Sequence, residues 1–334
     1  MTRLLSRLQR ISIPFLAGYF FLRNKWPIWF YALNRTPRRL YRQSPPAFDD
    51  VQKRLVRDLK ETGIAITHLD ELFPGKNLLP ELLAYGKNLM ASNMKKSTKG
   101  FLDYVSDAVP VLDGENILVR LALDQRIIDV VNGYFDMFTR FFQAQLNVNY
   151  PMDPGSAPEH SQRWHRDLDD LRMCKIFVYF NDVDKDGGPF MFLPRSHYGG
   201  KWRNAFPQTL PFGLYTHDAE VFATVPKKEI KICTARAGTI IFCDVSGLHC
   251  GGYVIKTQRL MLTVGYRSDA SAWHTVVKRE ESNALAQEEA IRGPAFRYAI
   301  APFDARRRSV RLFRLFKKNA TLHHKRNKDA AMTM

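Results

Sequence analysis

His165 and Asp167 stand two residues apart, His249 follows 82 positions after Asp167, and Arg259 stands ten beyond His249. On an extended strand the side chains alternate with period two, so residues i and i+2 share a face and His165 and Asp167 can grip one ion together. A third ligand must then come from elsewhere in the chain. Two imidazoles and one carboxylate on one face of an octahedron leave three adjacent positions open, which suits Fe(II) that must also hold a chelating cosubstrate and dioxygen. Arginine is always charged and presents a planar fork matched to a carboxylate. The set reads as an iron and 2-oxoglutarate site.

The flanking elements must deliver these residues. Residues 161–167 lead into a strand-like run at 175–183, closed by a turn at Asp186, Gly187, Gly188 and Pro189. A second strand at 190–197 ends in the corner Pro194-Arg195-Ser196-His197. A buried strand at 237–244 delivers His249, and Arg259 opens the next, over 259–266. With these motifs in this order, roughly residues 49–300 resemble the phytanoyl-CoA dioxygenase (PhyH) family of non-haem iron oxygenases. The resemblance implies a mainly β fold with flanking α-helices around a double-stranded β-helix (jelly roll, cupin-like) core.

By the same resemblance, His165, Asp167 and His249 are the metal ligands. Arg259 pairs with the distal carboxylate of 2-oxoglutarate, helped by Thr257. Halogenating relatives carry a small residue where Asp167 stands, so a retained carboxylate points to hydroxylation of a C–H bond. That reaction is coupled to oxidative decarboxylation of 2-oxoglutarate to succinate by O2. The family's Pro-Gly-Ser-His corner is Pro194-Arg195-Ser196-His197 here, and arginine disfavours the positive φ that glycine reaches easily. The geometry of that loop is therefore expected to differ.

Other polar residues near the motif have blander roles. His160 competes as a ligand from a loop with Pro158, and His197 fits a corner hydrogen bond better than a fourth ligand. Asp169 and Asp170 read as solvated turn residues. Asp244 either orients its loop or steadies a ligand imidazole, and the sequence does not choose.

The chain has 334 residues, 45% of them apolar, enough for a substantial core, and a net charge of +17. Residues 1–48 hold nine Lys or Arg and no acid, and residues 305–334 carry a further +9, which leaves 49–304 at −1. Three units follow: a basic, hydrophobic N-terminal membrane-surface segment (1–48), the oxygenase domain (49–304) and a basic amphipathic C-terminal tail (305–334). Arg3, Arg7 and Arg10 line one helical side with Leu4, Leu8 and Ile11 beside them, the pattern of a helix lying on a bilayer. The apolar run 11–22 is 12 residues long and contains Pro14. A span needs about 20 apolar residues, so this run is too short. The aromatic stretch 26–31 suits a headgroup interface. An anionic membrane surface is the favoured partner of both ends. Nucleic acid is not expected, because phosphate contacts have no need of bulky aliphatic side chains. A mitochondrial presequence is the rival reading of the N-terminus.

Helices are expected over 49–63, 78–90, 123–137 and 280–292, and strands over 64–67 and 143–150. Residues 97–118 and 198–228 are turn-rich stretches placed to cover the site. Cys174, Cys233, Cys243 and Cys250 lack paired metal spacing and fit a reducing cytoplasmic setting. The expectation is a peripheral membrane hydroxylase acting on an amphiphilic, anionic, lipid-type substrate. A soluble small-molecule or natural-product hydroxylase is the enzyme alternative. A binding protein on an idle oxygenase fold is the alternative from another class.

Overall fold

The computed structural model describes residues 15–301 except 16, 93, 98–99, 107–110, 113–115, 154, 209–214, 272–276 and 280–290. The expected N-terminal helix with Arg3, Arg7 and Arg10, the C-terminal tail 305–334 and nearly all of the expected helix 280–292 lie outside the described residues.

Helix Asp50–Thr62 begins and ends where residue chemistry dictates. Asp49 caps it in a reciprocal box with Gln52, and Gly63 ends it in the left-handed region at φ 82°. Its buried side, Leu55, Val56 and Leu59, packs with Ile128, Val131 and Phe135 of helix Gln125–Phe135. Strand β1 (Ile64–His68) follows directly, then the short helix Leu69–Leu72 and helix Leu78–Ser92. The remaining strands are β2 (Lys95–Lys96), β3 (Leu102–Tyr104), β4 (Val111–Leu112), β5 (Arg140–Asn149), β6 (Met173–Tyr179), β7 (Met191–Phe192), β8 (Lys231–Ile232), β9 (Thr239–Asp244), β10 (His249–Cys250), β11 (Arg259–Arg267) and β12 (Lys278–Arg279).

The large sheet runs β1-β9-β6-β11-β5-β3-β2, antiparallel throughout, and a small sheet runs β10-β7-β8. An isolated bridge between His165 and His249 adds the His165 segment to the edge of the small sheet. β4 and β12 form a separate parallel pair. One face of the large sheet is covered by helices through Ala144, Leu146, Val148, Ile176, Val178, Ile240, Phe242, Leu262 and Val264. The other face meets the small sheet through Phe177, Tyr179, Ile241 and Met261 against Phe190 and Phe192. Full burial of each such side chain stabilises by about 1.5–3 kcal/mol, so the two layers hold the strand ends that carry the site. This is the expected double-stranded β-helix with flanking helices.

The boundary expected at residue 48 is not a packing boundary. Residues 27–33 form a π-helix, and its Trp29 is fully buried in the main core. Asn34 ties the same segment down, donating to the Trp29 carbonyl and to Ser268 Oγ while accepting from the Ala270 amide. The aromatic density expected at a headgroup interface is thus partly internal: Trp26 stacks on Phe30 and on Tyr198, at 4.6 and 5.2 Å between ring centroids. Ile28 and Tyr31 stay exposed. Among the described residues no helix is long and apolar enough to cross a membrane.

Candidate metal and cosubstrate site

His165, Asp167 and His249 each offer one ligand atom, and these atoms lie within 4.8 Å of one another. His165 and His249 exchange backbone hydrogen bonds in both directions, 2.9 and 3.0 Å, which sets their rings 4.2 Å apart at the centroids. The Asp167 amide bonds the Val245 carbonyl at 2.8 Å, so the same two segments position the carboxylate. His165 Nδ1 lies 2.9 Å from the Arg163 carbonyl and His249 Nδ1 3.0 Å from the Gly247 carbonyl. A carbonyl only accepts, so each Nδ1 carries the proton and each Nε2 keeps its lone pair for a metal.

The electrostatics agree with that donor set. Burial, and then the neighbouring His165, push His249 down to about 3, so its imidazole is neutral at ordinary pH. Burial alone would raise Asp167, but the Lys175 ammonium and the two imidazoles outweigh it and hold the carboxylate well below the usual range. Neutral imidazoles and an ionised carboxylate are the forms that bind a divalent cation.

The triad opens into a cavity of about 270 Å³ whose wall includes Arg259, Lys175, Tyr215 and Phe190. Arg259 is 2% exposed. Its Nη1 donates to the Gly188 and Gly251 carbonyls, and its Nε has no protein partner. Among the described residues, no acid other than Asp167 lines the cavity. A buried guanidinium without a counter-charge is a fitting seat for a ligand carboxylate. Thr257, expected beside Arg259, is not brought to the cavity wall: it stands exposed on the turn before β11, which carries it to the surface. Thr263, two turns of the pleat beyond Arg259, faces the cavity instead.

The alternatives left open by the sequence resolve as follows. Asp244 orients its loop, accepting from the Met173 and Ser246 amides with one oxygen and from the Tyr134 hydroxyl with the other. His160 is not part of the triad cluster. His197 sits at the corner, its Nε2 3.3 Å from the Lys60 carbonyl. Arg195 keeps the glycine-like turn after all, at φ 62°. Its amide bonds the Thr62 carbonyl and its carbonyl accepts from Trp202, and these two bonds hold it there. A Cβ on Gly200 would stand 2.1 Å from the Arg195 oxygen, so glycine is required at that crossing. Asp170 is not a solvated turn residue; it is 3% exposed and accepts from the Trp29 indole and the Ser268 amide. Asp169 is only partly exposed, and burial followed by repulsion from Asp167 raises it to about 6.

Three contributors were not anticipated. Arg166, between the two ligands, turns away from the cavity and donates to the carbonyls of Ser196, Ser246, Trp202 and Ala205. Lys175 reaches Asp167 from β6. The third is a row of amides on β5, Gln143, Gln145, Asn147 and Asn149, all on the cavity wall. Their strict alternation with Ala144, Leu146 and Val148 is the period-two signal that could have revealed them.

A double-stranded β-helix that gathers two histidines and an aspartate at one cavity defines a metal-dependent oxygenase of the cupin-like class. Residues 98–254 match the family model phytanoyl-CoA dioxygenase (PhyH). Residues 98–254 are thus similar to that family, and the donor set of His165, Asp167 and His249 fits the Fe(II)/2-oxoglutarate-dependent dioxygenase chemistry of the PhyH type. No curated protein matches the chain significantly. Solved structures similar to it include three enzymes. One is the epimerase SnoN in complex with Fe3+, alpha ketoglutarate and nogalamycin RO (20% identity, 65% of this chain and 83% of that chain, TM-score 0.46). HygX from Streptomyces hygroscopicus with nickel and 2-oxoglutarate bound shares 16% identity over 66% and 88% of the two chains, TM-score 0.45. EctD from S. alaskensis with bound Fe shares 17% identity over 73% and 87%, TM-score 0.47.

Proposed function

We propose that this protein is a dioxygenase, a hydroxylase that works at an anionic membrane surface on the polar part of an amphiphilic, lipid-type molecule. The observation that carries the chemistry is the triad within 4.8 Å beside a buried guanidinium that has no acid partner among the described residues. In this reading His165, Asp167 and His249 hold Fe(II), and Arg259 holds the distal carboxylate of 2-oxoglutarate. The bound metal, with 2-oxoglutarate and O2, supplies the oxidising power for C–H hydroxylation. The protein's part is to orient the cosubstrate, to present the substrate C–H bond and to limit water around both. The amides of β5 give the cavity wall donors and acceptors, which suits a hydrogen-bonding head group better than an alkyl chain.

The membrane part of the proposal rests on the surface of residues 15–42. Phe15, Phe21, Leu22 and Tyr31 are 76%, 62%, 57% and 57% exposed. Lys25, Arg35, Arg39 and Arg42 are exposed among them, in a segment without any acid. Each such cation is worth about 1 kcal/mol at an anionic surface. A soluble small-molecule hydroxylase is the second reading, favoured by the packing of Trp29 into the body.

Two measurements test the proposal. Fe(II) and then 2-oxoglutarate, added without oxygen, should give the visible iron-to-oxo-acid band, weakened in Arg259→Ala; a folded, iron-loaded protein without the band would end the dioxygenase assignment. The protein should float with phosphatidylglycerol vesicles, and Phe21→Ser with Leu22→Ser should abolish flotation. Wild-type protein that stays at the bottom of the gradient would favour the soluble alternative.

A further inference from the structure

Asp167 offers its two oxygens to different partners. Oδ1 faces His165 Nε2 at 3.8 Å, and Oδ2 accepts from Lys175 Nζ at 2.7 Å. Lys175 comes from β6, where it lies in register with Gly265 of β11 and Cys243 of β9, so the central strands of the large sheet fix its backbone. Both side chains keep about a fifth of their surface accessible, 21% for Lys175 and 20% for Asp167, and both line the cavity. Asp167 is the one carboxylate on that wall among the described residues, and the lysine is spent on it.

The count of coordination positions gives this contact a purpose. A carboxylate with both oxygens available can chelate an ion and fill two of six octahedral positions. Two histidines and a chelating aspartate would leave two positions, enough for a 2-oxo acid but not for a 2-oxo acid and O2 together. An aspartate restricted to one oxygen leaves three. We propose that Lys175 is a positioning residue that occupies Asp167 Oδ2 and thereby keeps Asp167 a one-oxygen ligand, preserving the third open position. The inference rests on the reading of His165, Asp167 and His249 as the iron ligands. A lysine that merely filled space would have no reason to bond the oxygen turned away from His165.

The test uses the full chain, Fe(II), 2-oxoglutarate and nitric oxide as an O2 surrogate, all without oxygen. In wild type the Fe(II)·2-oxoglutarate complex should take up nitric oxide and show the high-spin iron–nitrosyl resonance. In Lys175→Met, Fe(II) should still bind, whereas affinity for 2-oxoglutarate or nitric oxide should fall about 10–100-fold, the usual effect of losing a group that holds a ligand. Lys175→Gln keeps an N–H donor and should recover part of the loss. Circular dichroism and thermal melting report whether each variant folds; if the Met variant does not, the Gln variant decides on the same readouts. Wild-type affinities for both ligands in a folded variant without the ammonium would overturn the proposal. Absence of the 2-oxoglutarate band in wild type itself would instead overturn the metal-site reading on which it rests.

Discussion

The Trp29 indole donates to Asp170 Oδ1 at 2.5 Å across 141 residues of sequence. Asp170 lies three residues beyond Asp167 and also accepts from the Ser268 amide at the end of β11, so the N-terminal segment is bonded to the loop that carries a site carboxylate. Trp29→Ala should cost about 3–5 kcal/mol by removing a fully buried indole. Trp29→Phe keeps most of the volume and should cost about 1–3 kcal/mol by leaving Asp170 short of a donor. Urea unfolding measures both, and an Ala variant as stable as wild type would show that the segment is not part of the body.

His165→Ala and Asp167→Ala should each lose stoichiometric iron while keeping the fold. Neither side chain belongs to the apolar clusters between the layers, and the His165 backbone bonds to His249 survive either change. Iron content and a melting curve on the same sample separate the two effects. Full iron occupancy in either variant would contradict the ligand assignment.

Arg259→Ala removes the donor to the Gly188 and Gly251 carbonyls as well as the fork offered to a ligand. Truncating one partner of a buried charged pair costs about 2–5 kcal/mol, so affinity for 2-oxoglutarate should fall by roughly 30-fold or more. Arg259→Lys keeps the charge without the fork and should fall between. Titration of the anaerobic absorption band gives the affinities, and unchanged affinity in the Ala variant would remove Arg259 from the site.

Arg195→Gly should raise stability by about 1 kcal/mol, because the left-handed backbone at φ 62° costs an L-residue about that much. Gly200→Ala should do the reverse, since the added carbon meets the Arg195 oxygen at 2.1 Å. Thermal melting of the pair checks both signs.

The parts of the molecule legible in the sequence are those fixed by local periodicity. The cap at Asp49, the stop at Gly63 and the alternation along β5 and β11 each state their structure within a few residues. The spacing of His165 and Asp167 showed which face they share, and the order of strands brought His249 to them. What escaped was set by distant neighbours. Asp170 looks solvated until Trp29 and Ser268 are brought against it. Arg195 looks incompatible with its corner until Thr62 and Trp202 hold its backbone. Thr257 is close to Arg259 in sequence, yet the turn between them separates surface from cavity.

The paired amide bonds between His165 and His249 bear on how long a metal stays. Because each residue's N–H is held by the other's carbonyl, neither backbone can peel away without releasing both, so escape of a bound ion is tied to a single local opening event. Exchange of these two amide protons with deuterium should slow together on metal loading, and the rate of that opening sets a ceiling on the rate at which one metal can replace another.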